Sequence, residues 1–106
     1  MLLAGTLLVS GCYRNPYFKK GDKYEKIETR YPNGKIKERY YLIKDKEGKT
    51  VEHWKHIRRY ENGQLESECT YVYGVKTGRE TFWRDTGRVQ REVLYKNGKV
   101  VVDINF

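Results

Sequence analysis

The chain is 106 residues long, room for one small domain. Hydrophobic residues make up 38% and charged residues 34%, too little aliphatic material for a thick core, yet ten tyrosines, three phenylalanines and two tryptophans argue against plain disorder and suit a thin sheet with half-buried faces. The 22 basic against 14 acidic side chains leave a formal charge of +8, which favours anionic partners (lipid head groups, acidic glycans, nucleic acid or an acidic protein) without choosing among them.

Residues 1–11 carry no charged side chain. Eleven residues cannot span a bilayer, which needs about 20; they read as the end of a signal peptide, closing on small residues. Leu8-Val9-Ser10-Gly11-Cys12 resembles the lipobox of bacterial lipoproteins. That resemblance implies cleavage before Cys12, a lipid on its thiol, and a place in the bacterial envelope, at the outer membrane or cell surface. The basic stretch that opens such signals is missing. The competing reading is an apolar first strand with a buried cysteine. Cys69, the second cysteine, reads as a small buried hydrophobe on a strand. Residues 12–23 read as the lipidated cysteine and a tether: from Tyr13 they show no period and are rich in Pro, Gly and basic side chains. Such a segment reaches roughly 20 Å, and Arg14, Lys19, Lys20 and Lys23 would each add ~1 kcal/mol of attraction at a strongly anionic surface.

From Tyr24 to Phe106 the period is close to two. Strands are expected at 24–32, 35–44, 50–60, 64–73, 79–84, 88–96 and 99–106, all antiparallel because every connection is short. Asn33-Gly34, Asn62-Gly63 and Asn97-Gly98 are expected to form two-residue turns with φ > 0 at both positions; Asp85-Thr86-Gly87 is expected to form a three-residue loop with a glycine bulge, so that Trp83 opposes Val89. Two-residue turns set the register. Around Asn62-Gly63 they pair Tyr60 with Leu65, Arg59 with Glu66, Ile57 with Glu68 and His56 with Cys69. Around Asn97-Gly98 they pair Tyr95 with Val100, Val93 with Val102 and Val89 with Phe106. Around Asn33-Gly34 they pair Tyr31 with Ile36 and Ile27 with Tyr40.

Tyr60, Asn62, Gly63, Leu65, Tyr71, Gly74, Gly78 and Trp83 form a pattern that resembles the MORN-repeat variant family of bacteria. Tyr31, Asn33, Gly34 and Ile36 begin an earlier copy, and Tyr95, Asn97, Gly98 and Val100 follow a later one. The resemblance covers roughly residues 24–104. It implies an all-β fold, an elongated antiparallel meander of repeated hairpins in a single sheet, and relatives some of which are named antitoxin-like. Modules of this kind bury surface only against their neighbours.

For chemistry the sequence offers little. His53 and His56 are three apart, hence on opposite strand faces, and cannot share a metal. His56 opposite Cys69 is the one pair with nucleophilic potential, but an even sheet supplies no oxyanion donors. The chain therefore reads as non-enzymatic, without cofactor or metal. Basic and aromatic residues interleave, and Lys55, Arg39, Arg58, Tyr60 and Trp54 are the candidate binding residues. Lys55 is expected to lack a charge partner, Arg39 to have Glu28 opposite it, and Arg59 to be held by Glu66. The expected function is a lipid-anchored repeat module that binds a protein partner or an anionic envelope surface. The alternative is a cytosolic antitoxin-like or nucleic-acid-binding sheet, with nucleic acid disfavoured by export.

Overall fold

The computed structural model describes residues 15–106; the signal segment, Cys12 and Arg14 lie outside them. Eight strands form one antiparallel sheet: β1 Tyr24–Arg30, β2 Ile36–Lys44, β3 Thr50–Glu52, β4 Trp54–Arg59, β5 Leu65–Val72, β6 Val75–Trp83, β7 Val89–Lys96 and β8 Lys99–Asn105. The order is β1-β2-β4-β5-β6-β7-β8, with β3 also on β2. This is a meander, the topology that short turns enforce, and it measures 40 × 36 × 26 Å. Alternate turns share an edge of the sheet. Loops 31–35, 60–64 and 84–88 line one edge. Loop 45–49 and the turns at Tyr73-Gly74 and Asn97-Gly98 line the other.

The expected turn type holds at only one of the three Asn-Gly sites. Asn97 and Gly98 both have positive φ, 54° and 78°, as a two-residue turn requires. At Asn62-Gly63 only the glycine does, at 93°; Gly63 N donates to Tyr60 O and Tyr60 N to Gln64 O. That is a type I turn closed by a left-handed glycine, a three-residue loop. Tyr31 to Lys35, Asp45 to Lys49 and Arg84 to Arg88 repeat the same pair of bonds. The loop at Asp85-Thr86-Gly87, expected to be the exception, is thus the common form, and Trp83 does oppose Val89.

The longer loops shift the pairing beside them. Leu65 faces Arg59 rather than Tyr60, because Glu66 is an extra residue in a bulge; beyond it Arg58–Ser67, Ile57–Glu68 and His56–Cys69 pair as expected. Ile36 likewise faces Arg30, not Tyr31, while Ile27–Tyr40 is found. After the tight Asn97-Gly98 turn, Tyr95 pairs with Val100, but a bulge at Val101 moves Val93 opposite Asp103 and Leu94 opposite Val102. Phe106 N accordingly bonds Gln90 O, not Val89. Bulges keep the hydrophobic set on one face while raising local twist.

Two strand boundaries also differ. The run 50–60 breaks at His53, and Trp54 takes φ 88°, a region costing of order 1–3 kcal/mol for a non-glycine residue. The inserted residues turn the indole to the opposite face, where it packs against Tyr41, ring centroids 5.1 Å apart, and Phe18 at 5.9 Å. β6 starts at Val75 instead of 79, since Tyr73-Gly74 is itself a tight turn. Residues 15–23, expected to be a free tether, fold back here. Asn15 to Phe18 and Lys19 to Asp22 each close a turn, and Phe18 stacks on Tyr24 at 4.5 Å.

The core is thin. Ile43, Cys69 and Val93 are its buried hydrophobic residues. One face carries Glu38, Tyr40, His56, Cys69, Tyr71, Glu80, Val93 and Tyr95; the other carries Glu28, Arg39, Tyr41, Lys55, Glu68, Arg79 and Glu92.

Candidate functional site

The five candidate binding residues do not come together, and each already has an intramolecular partner. Arg39 Nε donates to Glu28 Oε2 at 2.7 Å; that guanidinium, against the opposing cost of burial, holds the Glu28 carboxyl below its ordinary range. Lys55, expected to be free, reaches Glu68 Oε2 at 2.8 Å, because residues beside a register pair lie within side-chain reach on the same face. Arg58 is on the other face, 3.0 Å from Glu38. Trp54 belongs to the aromatic cluster under Tyr17 and Phe18. Arg59 is not held by Glu66; it donates to Gly63 O at 3.0 Å, since the bulge carries Glu66 out of register.

Tyr60 has a structural role that repeats along the sheet. Its hydroxyl donates to Trp83 O at 2.7 Å, as the Tyr31 hydroxyl does to Arg59 O at 2.7 Å. Asn62 Nδ2 donates to Asp85 O, and Asn33 Nδ2 to Glu61 O. Each loop on this edge therefore hands two hydrogen bonds to the next. Burial first, then the charges of Glu66 and Asp85, push the Tyr60 phenol above its ordinary pKa.

On the face that carries Glu38 and Tyr95, the side chains of His56, Glu80, Lys76 and Tyr95 are engaged with one another or with neighbouring acids. His56 places Nδ1 2.6 Å from Glu52 Oε1 and Nε2 2.6 Å from Glu38 Oε2, and stacks on Tyr40 at 4.8 Å. With both nitrogens occupied it has none left to act as base on Cys69. Burial, reinforced by the nearby Glu80 charge, pushes the Cys69 thiol up to about 11, so the nucleophilic thiolate is scarce at neutral pH. Buried Glu80 accepts from Lys76 at 3.0 Å and from the Tyr95 hydroxyl at 2.9 Å. Burial works to lower the Lys76 pKa, but the Glu80 hydrogen bond and charge outweigh it and raise it. Burial, then the bond to Glu80, raises Tyr95. His53 sits apart, with Tyr73 N donating to its Nδ1 and its Nε2 2.5 Å from Tyr17 O. Among the described residues no group of three or more His, Cys, Asp or Glu could hold a metal ion.

Among the described residues, lysines without an ion pair gather on the edge formed by loop 45–49, Tyr73-Gly74 and Asn97-Gly98, where Lys44 donates only to Thr50 Oγ1; Lys35, Arg84 and Arg88 on the opposite edge make no ion pair either. Lys44 and Lys49 flank loop 45–49, and Lys96 and Lys99 flank the Asn97-Gly98 turn. Lys46 lies within the first loop, and Lys19 of the folded-back segment lines a shallow groove with Lys44, Asp45, Lys46, Glu47 and Tyr73. Lys23 joins them because Tyr24 pairs with Ile43. The edge is continuous: Gly74 N bonds Glu52 O, and a side chain at Gly98 would meet Val75 at 3.0 Å. Among the described residues none of these lysines makes an ion pair. Of the nearby acids, Asp22 accepts from Lys19 N and Asp45 from Glu47 N and Lys49 N, while Glu47 leaves one carboxylate among the lysines. Of this rim, Lys19 and Lys23 stood out in the sequence as tether charges, and Lys44 among the basic residues interleaved with aromatics. The signal for the rest was lysine on both sides of two turns that a meander must place on one edge.

Residues 55–73 and 76–97 match the family model described as MORN repeat variant. No curated protein and no solved structure matches the chain. The two matched segments correspond to the β4–β5 and β6–β7 hairpins, and the β1–β2 hairpin outside them closes with the same loop as both and the same tyrosine and asparagine bonds as β4–β5. Within residues 55–97 the chain is thus similar to the MORN repeat variant, hairpin by hairpin.

Proposed function

We propose that this is a lipid-anchored protein of the bacterial envelope whose repeat sheet is a non-enzymatic docking module, with its lysine rim turned to an anionic envelope surface. The observation that carries this reading is the unpaired lysine rim on the edge where residues 15–23 fold back. Asn15 is three residues from Cys12, so a lipid there would hold Asn15 within ~10 Å of its attachment and bring the Lys19 end of the rim toward the same surface. Each lysine that lies near an anionic surface adds ~1 kcal/mol of attraction, weakening with salt. The five residues first read as binding groups remain outward-facing only in part, and the rim takes their place as the anionic contact.

Cells given a palmitate analogue should label the protein, and Cys12→Ser should abolish label and release the protein from membranes after a high-salt wash. An unlabelled, soluble wild-type protein would instead favour the cytosolic antitoxin-like reading. Separately, Lys46→Glu with Lys49→Glu should weaken binding to phosphatidylglycerol vesicles more than Lys35→Glu on the opposite edge. Equal effects would remove the rim from the proposal and leave the anchor standing.

A further inference from the structure

The two outer strands are unlike. β1 carries Glu25, Lys26, Glu28 and Arg30, the kind of charged guard that keeps an edge strand from pairing with another chain. β8 carries Val100, Val101, Val102 and Ile104, each 42–54% exposed, with Phe106 beyond it at 62%. Its backbone is half engaged. Phe106 N bonds Gln90 O, and hydrogen-bonded pairs alternate along an antiparallel ladder. Ile104 therefore turns its peptide groups to β7, whereas Asp103 and Asn105 turn theirs to the open edge. Val102 and Ile104 share a face with their register partners Leu94 and Glu92; Asp103 and Asn105 share the other with Arg91.

We infer that β8 is a self-association edge, occupied by β8 of a second copy running antiparallel about a two-fold axis through Ile104. In that register Asp103 and Asn105 of one copy exchange backbone hydrogen bonds with Asn105 and Asp103 of the other, which satisfies the open groups. Ile104 meets Ile104 and Val102 meets Phe106, extending the apolar row begun by Leu94. On the opposite face Asp103 meets Asn105, so no like charges are opposed. An axis through Asp103 would use the same open groups but set two carboxylates against each other. Pairing β8 with β1 would set the valines against a charged row, so the contact is isologous and closes after two copies. This inference stands apart from the anchoring reading.

A cysteine scan tests it. In a pair without mutual hydrogen bonds Cα atoms approach ~4.5 Å, within disulfide range. Purified full chain carrying Cys12→Ser leaves buried Cys69 as the only other thiol. In it, Ile104→Cys should oxidise to a disulfide-linked dimer, and Val101→Cys and Asp103→Cys should stay free of the crosslink. A maximum at another position, no dimer at any position, or a crosslink to a protein of different mass overturns the inference. Ile104→Lys, on an exposed site, opposes two ammonium groups on the axis and should weaken self-association at least ~10-fold in sedimentation velocity. Self-association unchanged by that substitution would also overturn it.

Discussion

At the scale of single residues, acid should expose the Glu28–Arg39 pair. The Glu28 carboxyl is held below its ordinary value of 4.5, first by the Arg39 hydrogen bond. A carboxyl whose folded pKa is depressed contributes stability above its unfolded value and loses it as pH falls through the folded one. Arg39→Gln should therefore lower the melting temperature slightly near neutral pH, and the gap to wild type should close in acid. A gap that persists once Glu28 is protonated would assign the loss to packing of the arginine stem. The pairing of Arg39 with Glu28 was legible in the sequence because the bulge beside the turn offsets the longer loop and restores the expected register. The partner of Lys55 was not. It lies diagonally across the hairpin at Glu68, and straight-across pairing assigns Lys55 only Thr70. The turn of Trp54 to the opposite face was equally hidden, since it depends on φ 88° at a residue whose type does not announce it.

At the scale of the hairpin, the repeated loop acts as a fastener. Tyr31 and Tyr60 each donate one hydrogen bond to the carbonyl just before the next loop, and Asn33 and Asn62 add a second. Removing one hydroxyl should cost about 1 kcal/mol. Tyr31→Phe and Tyr60→Phe act at successive junctions with no shared partner, so their losses should add within about 0.5 kcal/mol in denaturant melts. Strong non-additivity would mean that the junctions are coupled through the sheet. The spacing of aromatic, asparagine and glycine revealed this repeat, but Asn-Gly in isolation pointed to the wrong turn. Asparagine acts here through its side chain, its Oδ1 accepting from the backbone two residues on, rather than by adopting φ > 0. At the third loop on this edge Arg84 and Thr86 stand where the tyrosine and asparagine would be, so the fastener is not continued past loop 84–88.

At the scale of the whole molecule, the meander makes stability depend on where a defect falls. Strand contacts run only between neighbours in the order, apart from β3 on β2, so an outer strand can peel away while the rest holds. Two glycines test this against local sterics. Gly63 has φ 93° and an added Cβ would meet nothing closer than Lys35 at 3.6 Å; Gly98 has φ 78° and its Cβ would stand 3.0 Å from Val75. Left-handed geometry alone costs an alanine ~1–2 kcal/mol, so on local grounds Gly98→Ala is the worse substitution. In a quasi-linear array the ranking reverses for global unfolding, because the Gly98 hairpin can fray with β8 while Gly63 lies inside the central pair of strands. Trp54 and Trp83 lie in β4 and β6, and their fluorescence reports the centre of the sheet. Gly63→Ala should lower the fluorescence melting temperature more than Gly98→Ala. At concentrations below self-association, Gly98→Ala should mainly speed hydrogen exchange at Val102 and Ile104, whose amides bond to β7. A larger global loss from Gly98→Ala would show that β8 unfolds with the rest as one cooperative unit, and that the sheet is stabilised as a closed whole rather than strand by strand.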